Sequence, residues 1–231
     1  MRIGIHAGHN PDDKIGCGAI GLIKESTENR KVKDEVIRLL KLVGHTIIDC
    51  TVEDGVSVKD IVNKQVAKSN AQDLDITVSI HFNSGVNDKE GNGASTGTEV
   101  LMTSITGIKK EIGTKIVNNI AKLGFKNRGC KTRTNLGFLN GTKAPAILIE
   151  CCFVDDKDDI SLYDYKTMAK AIAEGIHGES IIEKSNTESN TDVIYRVIAG
   201  SFKSRLNAEV QMKKLKDVGI SGVFLEAKRG N

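Results

Sequence analysis

Leu74-Asp-Ile-Thr-Val-Ser-Ile80 is a nearly continuous apolar run that breaks directly into His81-Phe82-Asn83-Ser84. Its length and β-branched content read as a strand, and a run with no polar face suits a central strand buried on both sides. The segment after it, to Gly97, is rich in Asn, Gly, Ser and Asp and reads as a loop. A central strand needs neighbouring strands and covering helices, and the flanking sequence supplies both.

Upstream, Arg2–His6 reads as a strand and Glu25–Leu42 as a helix, with Val32, Val36, Leu39 and Leu40 at helical spacing. Gly44 ends that helix and His45–Cys50 forms the next strand. Val56–Gln72 is helical, with Val58, Ile61, Val62 and Val66 on one stripe. Downstream come a strand over Thr98–Thr103, a helix over Ile105–Leu123, a buried strand over Ala146–Cys152 and a closing helix over Tyr163–Ile176. This alternation predicts an α/β fold: a mostly parallel, twisted sheet with helices on both faces.

Residues 178–192 are polar and rich in Ser, Asn and Thr, the composition of a linker. Beyond it, a strand (Val193–Ala199), a helix (Leu206–Asp217) and a strand (Val223–Glu226) make a small βαβ piece. At roughly 35 residues this piece is too small to fold alone, which predicts that the natural chain continues or that the piece packs on a partner. The expected organisation is therefore 1–177, a linker over 178–192, and 193–231.

The 231 residues are 39% hydrophobic and 27% charged, values of a soluble globular protein. A net charge of +3 is compatible with an anionic polymer but excludes a nucleic-acid-binding signature. No apolar run spans a membrane, so no membrane insertion is expected. Met1-Arg-Ile-Gly-Ile-His6 leads straight into a motif without a signal peptide, which predicts synthesis in the cytoplasm and action elsewhere only after release. The five cysteines form no CxxC pair and read as reduced, buried thiols.

Four residues carry the chemistry. His9 follows the first strand, His81 and Glu150 end apolar strand runs, and Glu25 opens a helix. Ligands of open α/β sheets gather at strand carboxyl ends, where three of these four fall. Two His and one carboxylate form a three-ligand catalytic zinc set, and a further carboxylate can act as general base. His45 and His177 do not sit at such an edge; His6, inside the first strand, is the nearest competitor to His9. Gly16-Cys-Gly18-Ala-Ile-Gly21 matches a dinucleotide fingerprint, but the residues between the first strand and Gly16, Pro11 among them, break the required spacing.

These residues resemble the zinc-dependent N-acetylmuramoyl-L-alanine amidases, cell-wall hydrolases of phage endolysin and autolysin type. The resemblance rests on Ile5-His-Ala-Gly-His9, Gly21-Leu-Ile-Lys-Glu25 with Asn29, Ser79-Ile-His-Phe-Asn83 and Pro145-Ala-Ile-Leu-Ile-Glu150. It implies that His9, Glu25 and His81 bind Zn2+ and that Glu150 is the catalytic carboxylate, with Asn29 and Asn83 as substrate-binding candidates. Where the family has a small residue and Gly-Phe after that carboxylate, this chain has Cys151-Cys152-Phe153. Strand alternation would turn Cys152 towards the face of Glu150, as a site-lining or core thiol.

Tyr195-Arg-Val-Ile-Ala-Gly-Ser-Phe202 with Asn207-Ala208 is similar to the start of a SPOR domain. Together the resemblances imply hydrolysis of the muramic acid–alanine amide in bacterial peptidoglycan, with glycan strands and stem peptides as partners. A catalytically silent wall-binding protein, or another zinc amidohydrolase or peptidase, are the alternatives.

Overall fold

In the computed structural model, β3 (Ile76–Asn83) runs through the middle of a six-stranded sheet between β1 (Arg2–Ala7) and β6 (Ala146–Phe153). The full order adds β2 (Thr46–Asp49) outside β1, then β4 (Thr98–Met102) and the edge strand β5 (Asn127–Thr132) outside β6. Residues 1–183, 198–220 and 223–227 are described. Neighbours are parallel except β4 and β6, so β4 and β5 run opposite to the other four. β5 has no counterpart in the sequence reading, because its six residues, Asn-Arg-Gly-Cys-Lys-Thr, carry neither an apolar run nor β-branched density.

Alternation along the strands sorts the side chains. Ile3, Ile5, Val78, Ile80, Val100, Ile147 and Ile149 enter the main core beneath α1 (Glu25–Leu42), α3 (Gly107–Ala121) and α6 (Tyr165–His177). Leu101, Ala146 and Leu148 join a smaller core on the other face, with Phe138 and Leu139 of α4 (Gly137–Gly141). Val62 and Val66 of α2 (Val58–Asn70) complete it. α2 starts at Ser57, whose side chain accepts the Asp60 N–H.

Strands β3 and β6 fall out of step beyond His81. His81 pairs with Glu150, but Asn83 pairs with Phe153, so β6 holds one extra residue. This bulge corrects the expectation for Cys152. Simple alternation cannot hold across an inserted residue, and Cys151 and Cys152 are both fully buried in the main core. Burial pushes both thiols up, so they act as packed apolar groups. The pairing also carries β3 and β6 past His81 and Glu150, which lie inside their strands rather than at the ends.

The polar segment after β3 is held by carboxylates. Asp155 accepts the N–H groups of Gly85 and Asn87, Asp156 that of Thr96, and Asp158 those of Asn92, Gly93 and Ala94. Asp159, fully buried in α5 (Lys157–Leu162), accepts from Phe153 N, Gly97 N and Ser95 Oγ. Asp159→Ala strands these buried donors at about 1–3 kcal/mol each. Urea unfolding of that variant is expected to show a loss of about 3 kcal/mol; a loss below about 1 kcal/mol would contradict this account of the loop.

The chain divides into units of residues 1–183 and 184–231. The expected linker starts on the first unit: Ile181 is buried and its N–H donates to Glu174. In the second unit α7 (Arg205–Asp217) carries i,i+4 pairs Arg205–Glu209 and Lys213–Asp217 and buries no side chain. The strand expected over 193–199 falls mainly outside the described residues. Residues 223–227, where a strand is expected over 223–226, carry no regular secondary structure. Among the described residues no helix is long and apolar enough to cross a membrane.

Candidate metal centre

His9, Glu25 and His81 come together from three elements, one donor atom of each lying within 4.8 Å of the others. His81 stands on β3, on the sheet face opposite the main core. Glu25 is the first residue of α1, which packs on the core face, so its side chain reaches the site over the sheet edge. His9 follows β1 with a φ of 66°, a left-handed conformation that costs a non-glycine residue energy unless its surroundings enforce it.

Those surroundings are explicit. Asn29 Nδ2 donates to Gly8 O at 2.8 Å and Arg30 to His9 O at 3.1 Å. Asn10 donates to Ile15 O and Gly55 O while its own oxygen accepts the Gly55 N–H. Gly8 itself cannot be larger, since a Cβ there would lie 2.1 Å from the His81 ring. Asn29, expected to bind substrate, is fully buried one turn into α1, with Nδ2 donating to the Gly8 carbonyl and Oδ1 accepting from Arg30 Nη1. Asn83 lies at the site edge, half-buried, with Nδ2 donating to Glu99 at 3.4 Å.

Glu25 Oε1 lies 3.0 Å from His81 Nδ1 and 3.3 Å from His9 Nε2, and it also accepts the Phe82 N–H. Oε2 accepts the Ala19 N–H at 2.8 Å. Burial raises the Glu25 carboxyl, but hydrogen bonds with His81 and His9 outweigh it and hold the group below the usual carboxylate range. Burial lowers His81, against the opposing pull of Glu25, and keeps the imidazole neutral. Imidazole nitrogens beside an ionised carboxylate are the donor chemistry zinc takes. Tetrahedral zinc at ordinary bond lengths sets its ligand atoms about 3.3–3.5 Å apart, close to the separations from Glu25, so the residues fit the ion. His6, the competing imidazole, stays inside β1 against Phe138, and burial lowers it to about 3.

Glu150 is level with His81 on one side and Glu99 on the other. Its Oε2 is buried without a hydrogen-bond partner. Burial, reinforced by the negative charges of Glu25 and Glu99, pushes this carboxyl up to about 8, with Arg133 opposing. Asp88, Asp156 and Asp158 also cluster, but their oxygens are largely engaged by backbone N–H groups of the loop they hold.

Glu99 is the neighbour of Glu150 that the sequence alone did not bring to this edge. It reaches this edge because β4 is reversed, so its start, not its end, lies beside Glu150. The signal was present: an acid in the buried run Thr98-Glu-Val-Leu-Met102 needs partners. Arg128 Nε and Lys131 Nζ supply them at 2.7 and 2.5 Å.

Comparison with known proteins agrees with this geometry. Residues 3–178 match the N-acetylmuramoyl-L-alanine amidase family, and residues 166–226 match the SPOR domain. An uncharacterized protein of Clostridium perfringens is 37% identical over 198 residues, covering 83% of this chain and 56% of its own length. An endolysin of Bacillus phage SPP1 is 30% identical over 194 residues, covering 81% of this chain and 67% of its own. The solved catalytic domain of the CD27L endolysin, which targets Clostridia difficile, superimposes with a TM-score of 0.69 at 26% identity, covering 79% of this chain and 99% of that one. The chain spans a little over half the length of the first curated relatives it matches. With this sheet, this cluster and a family match over residues 3–178, the chain belongs to the N-acetylmuramoyl-L-alanine amidases and carries a SPOR match at its C-terminal end.

Proposed function

We propose that the protein is a zinc-dependent hydrolase of the amide between N-acetylmuramic acid and L-alanine in bacterial peptidoglycan, acting at the cell wall. The observation that carries this reading is the convergence of His9, Glu25 and His81 beside Glu150, whose buried Oε2 has no partner. His9, Glu25 and His81 would hold the ion. When bound, zinc supplies Lewis acidity that activates a water and polarises the amide carbonyl.

Glu150 accepts the proton of the attacking water and returns it to the alanine nitrogen as the C–N bond breaks. A carboxyl with raised proton affinity suits both halves of that transfer. Asn29 and Arg30 hold the strained His9 backbone, while Glu25 stays ionised and His81 neutral. Asn83, half-buried next to this group, has one face towards solvent from which to bind substrate. The proposed organisation is a catalytic domain over 1–177 and a linker over 178–192. A SPOR-like segment over 193–231 would engage glycan strands while the first domain takes the stem peptide.

Digestion of purified cell walls tests this reading. New α-amino groups on L-alanine are expected, with no new reducing sugar ends. A zinc chelator should abolish their release and added zinc restore it. New reducing ends, amino groups on any other residue, or chelator-resistant release would each overturn the proposal.

A further inference from the structure

The catalytic edge continues onto β4 and β5 as a surface that the amide chemistry does not use. α3 covers these strands from the main-core side. On the other face Leu101 joins the small core, but the β5 side chains beyond it stay partly or fully exposed.

A bulge concentrates charge there. Arg128 and Lys131 are three apart, so in a regular strand they would point to opposite faces. Thr98 pairs with Asn127 and Val100 with Cys130, which leaves an extra residue in β5, and Gly129 takes a φ of 78°. Both cations consequently converge on one oxygen of Glu99. Arg128 also lies 5.1 Å from the Phe153 ring centroid, while the Lys131 side chain remains 40% exposed. Arg133, two residues on from Lys131, is exposed, and its charge is felt at Glu150. Among the described residues its guanidinium has no hydrogen-bond or ion-pair partner. Three cations against one buried carboxylate leave this face basic, with one guanidinium uncommitted.

We infer that this face is a carboxylate-binding subsite for the peptide side of the substrate, with Arg133 and Lys131 as the recognising cations. The inference rests on the amidase reading above. The glycan side of the scissile bond is N-acetylated and largely neutral, whereas stem peptides carry free carboxylates. An arginine fork and a lysine beside the catalytic carboxylate match such an acidic peptide.

The test uses the zinc-loaded full chain and two soluble disaccharide–peptide fragments, identical except that the peptide carboxylates of one are converted to carboxamides. The wild type is expected to show kcat/KM about 10-fold higher on the acid, the range of a charge-assisted hydrogen bond at a part-exposed site. That ratio should fall towards 1 in Arg133→Gln and in Lys131→Gln, and should largely survive in Arg133→Lys. A wild-type ratio near 1 overturns the subsite alone. A ratio that persists in both Gln variants removes Arg133 and Lys131 from the recognition. Cleavage of neither fragment at the muramoyl amide overturns the amidase reading instead.

Discussion

Glu150→Gln is expected to abolish wall hydrolysis, retain zinc, and make the metal-free protein more stable at pH 8. Loss of a positioned acid–base group costs about 10²–10⁴-fold in rate. The stability gain follows from the raised carboxyl, about 8 in the fold against an ordinary 4.5. A folded state that holds a proton more tightly is favoured below the unfolded value, and that advantage is lost as pH rises through the folded one. Between pH 5 and pH 8 the wild type should lose on the order of 3 kcal/mol that the Glu150→Gln variant does not. Urea unfolding of both proteins in chelator, at the two pH values, reads the difference directly. A gap that does not widen with pH contradicts the buried, unpartnered state of this carboxyl, and wild-type turnover in the variant removes Glu150 from the mechanism.

Glu25→Gln is expected to give the complementary result: a folded protein that no longer holds zinc. Removing an outer-shell partner typically weakens metal binding by about 10–100-fold, so loss of a direct ligand should exceed about 100-fold. Competition against a chromophoric chelator measures this without reference to activity. Gln keeps an oxygen for the Ala19 or Phe82 N–H, so the backbone around the site retains most of its support. If Glu25→Gln bound zinc normally and Glu150→Gln lost it, the two carboxylates would exchange roles.

The sequence carried the central strand, the helical stripes and the two strands that bear His81 and Glu150, because these depend on apolar periodicity; the strands' extension past those residues follows from pairing between β3 and β6. Glu25 was legible as a helix opener, but its reach over the sheet edge depends on tertiary packing. Cys152 and Arg128 escaped for one shared reason. Each lies at a bulge, where an inserted residue cancels the two-residue alternation from which side-chain direction is read. Asn29 was legible as facing the site region, but not as buried there, since burial depends on the Gly8 carbonyl it meets. Glu99 required knowing that β4 runs backwards, which its five residues do not encode.

That reversal has an engineering consequence. The parallel half of the sheet brings His81 and Glu150 to the edge from strands anchored in the main core, with His9 and Glu25 closing on them from adjoining segments. The reversed half brings a strand start and an exposed edge strand that anchors none of them. On the proposed reading, chemistry and selectivity fall to separate, adjoining pieces of one sheet. If the proposed subsite holds, substitutions at Lys131 and Arg133 should change which peptides are accepted, while the metal set stays off β4, the strand that β5 pairs with.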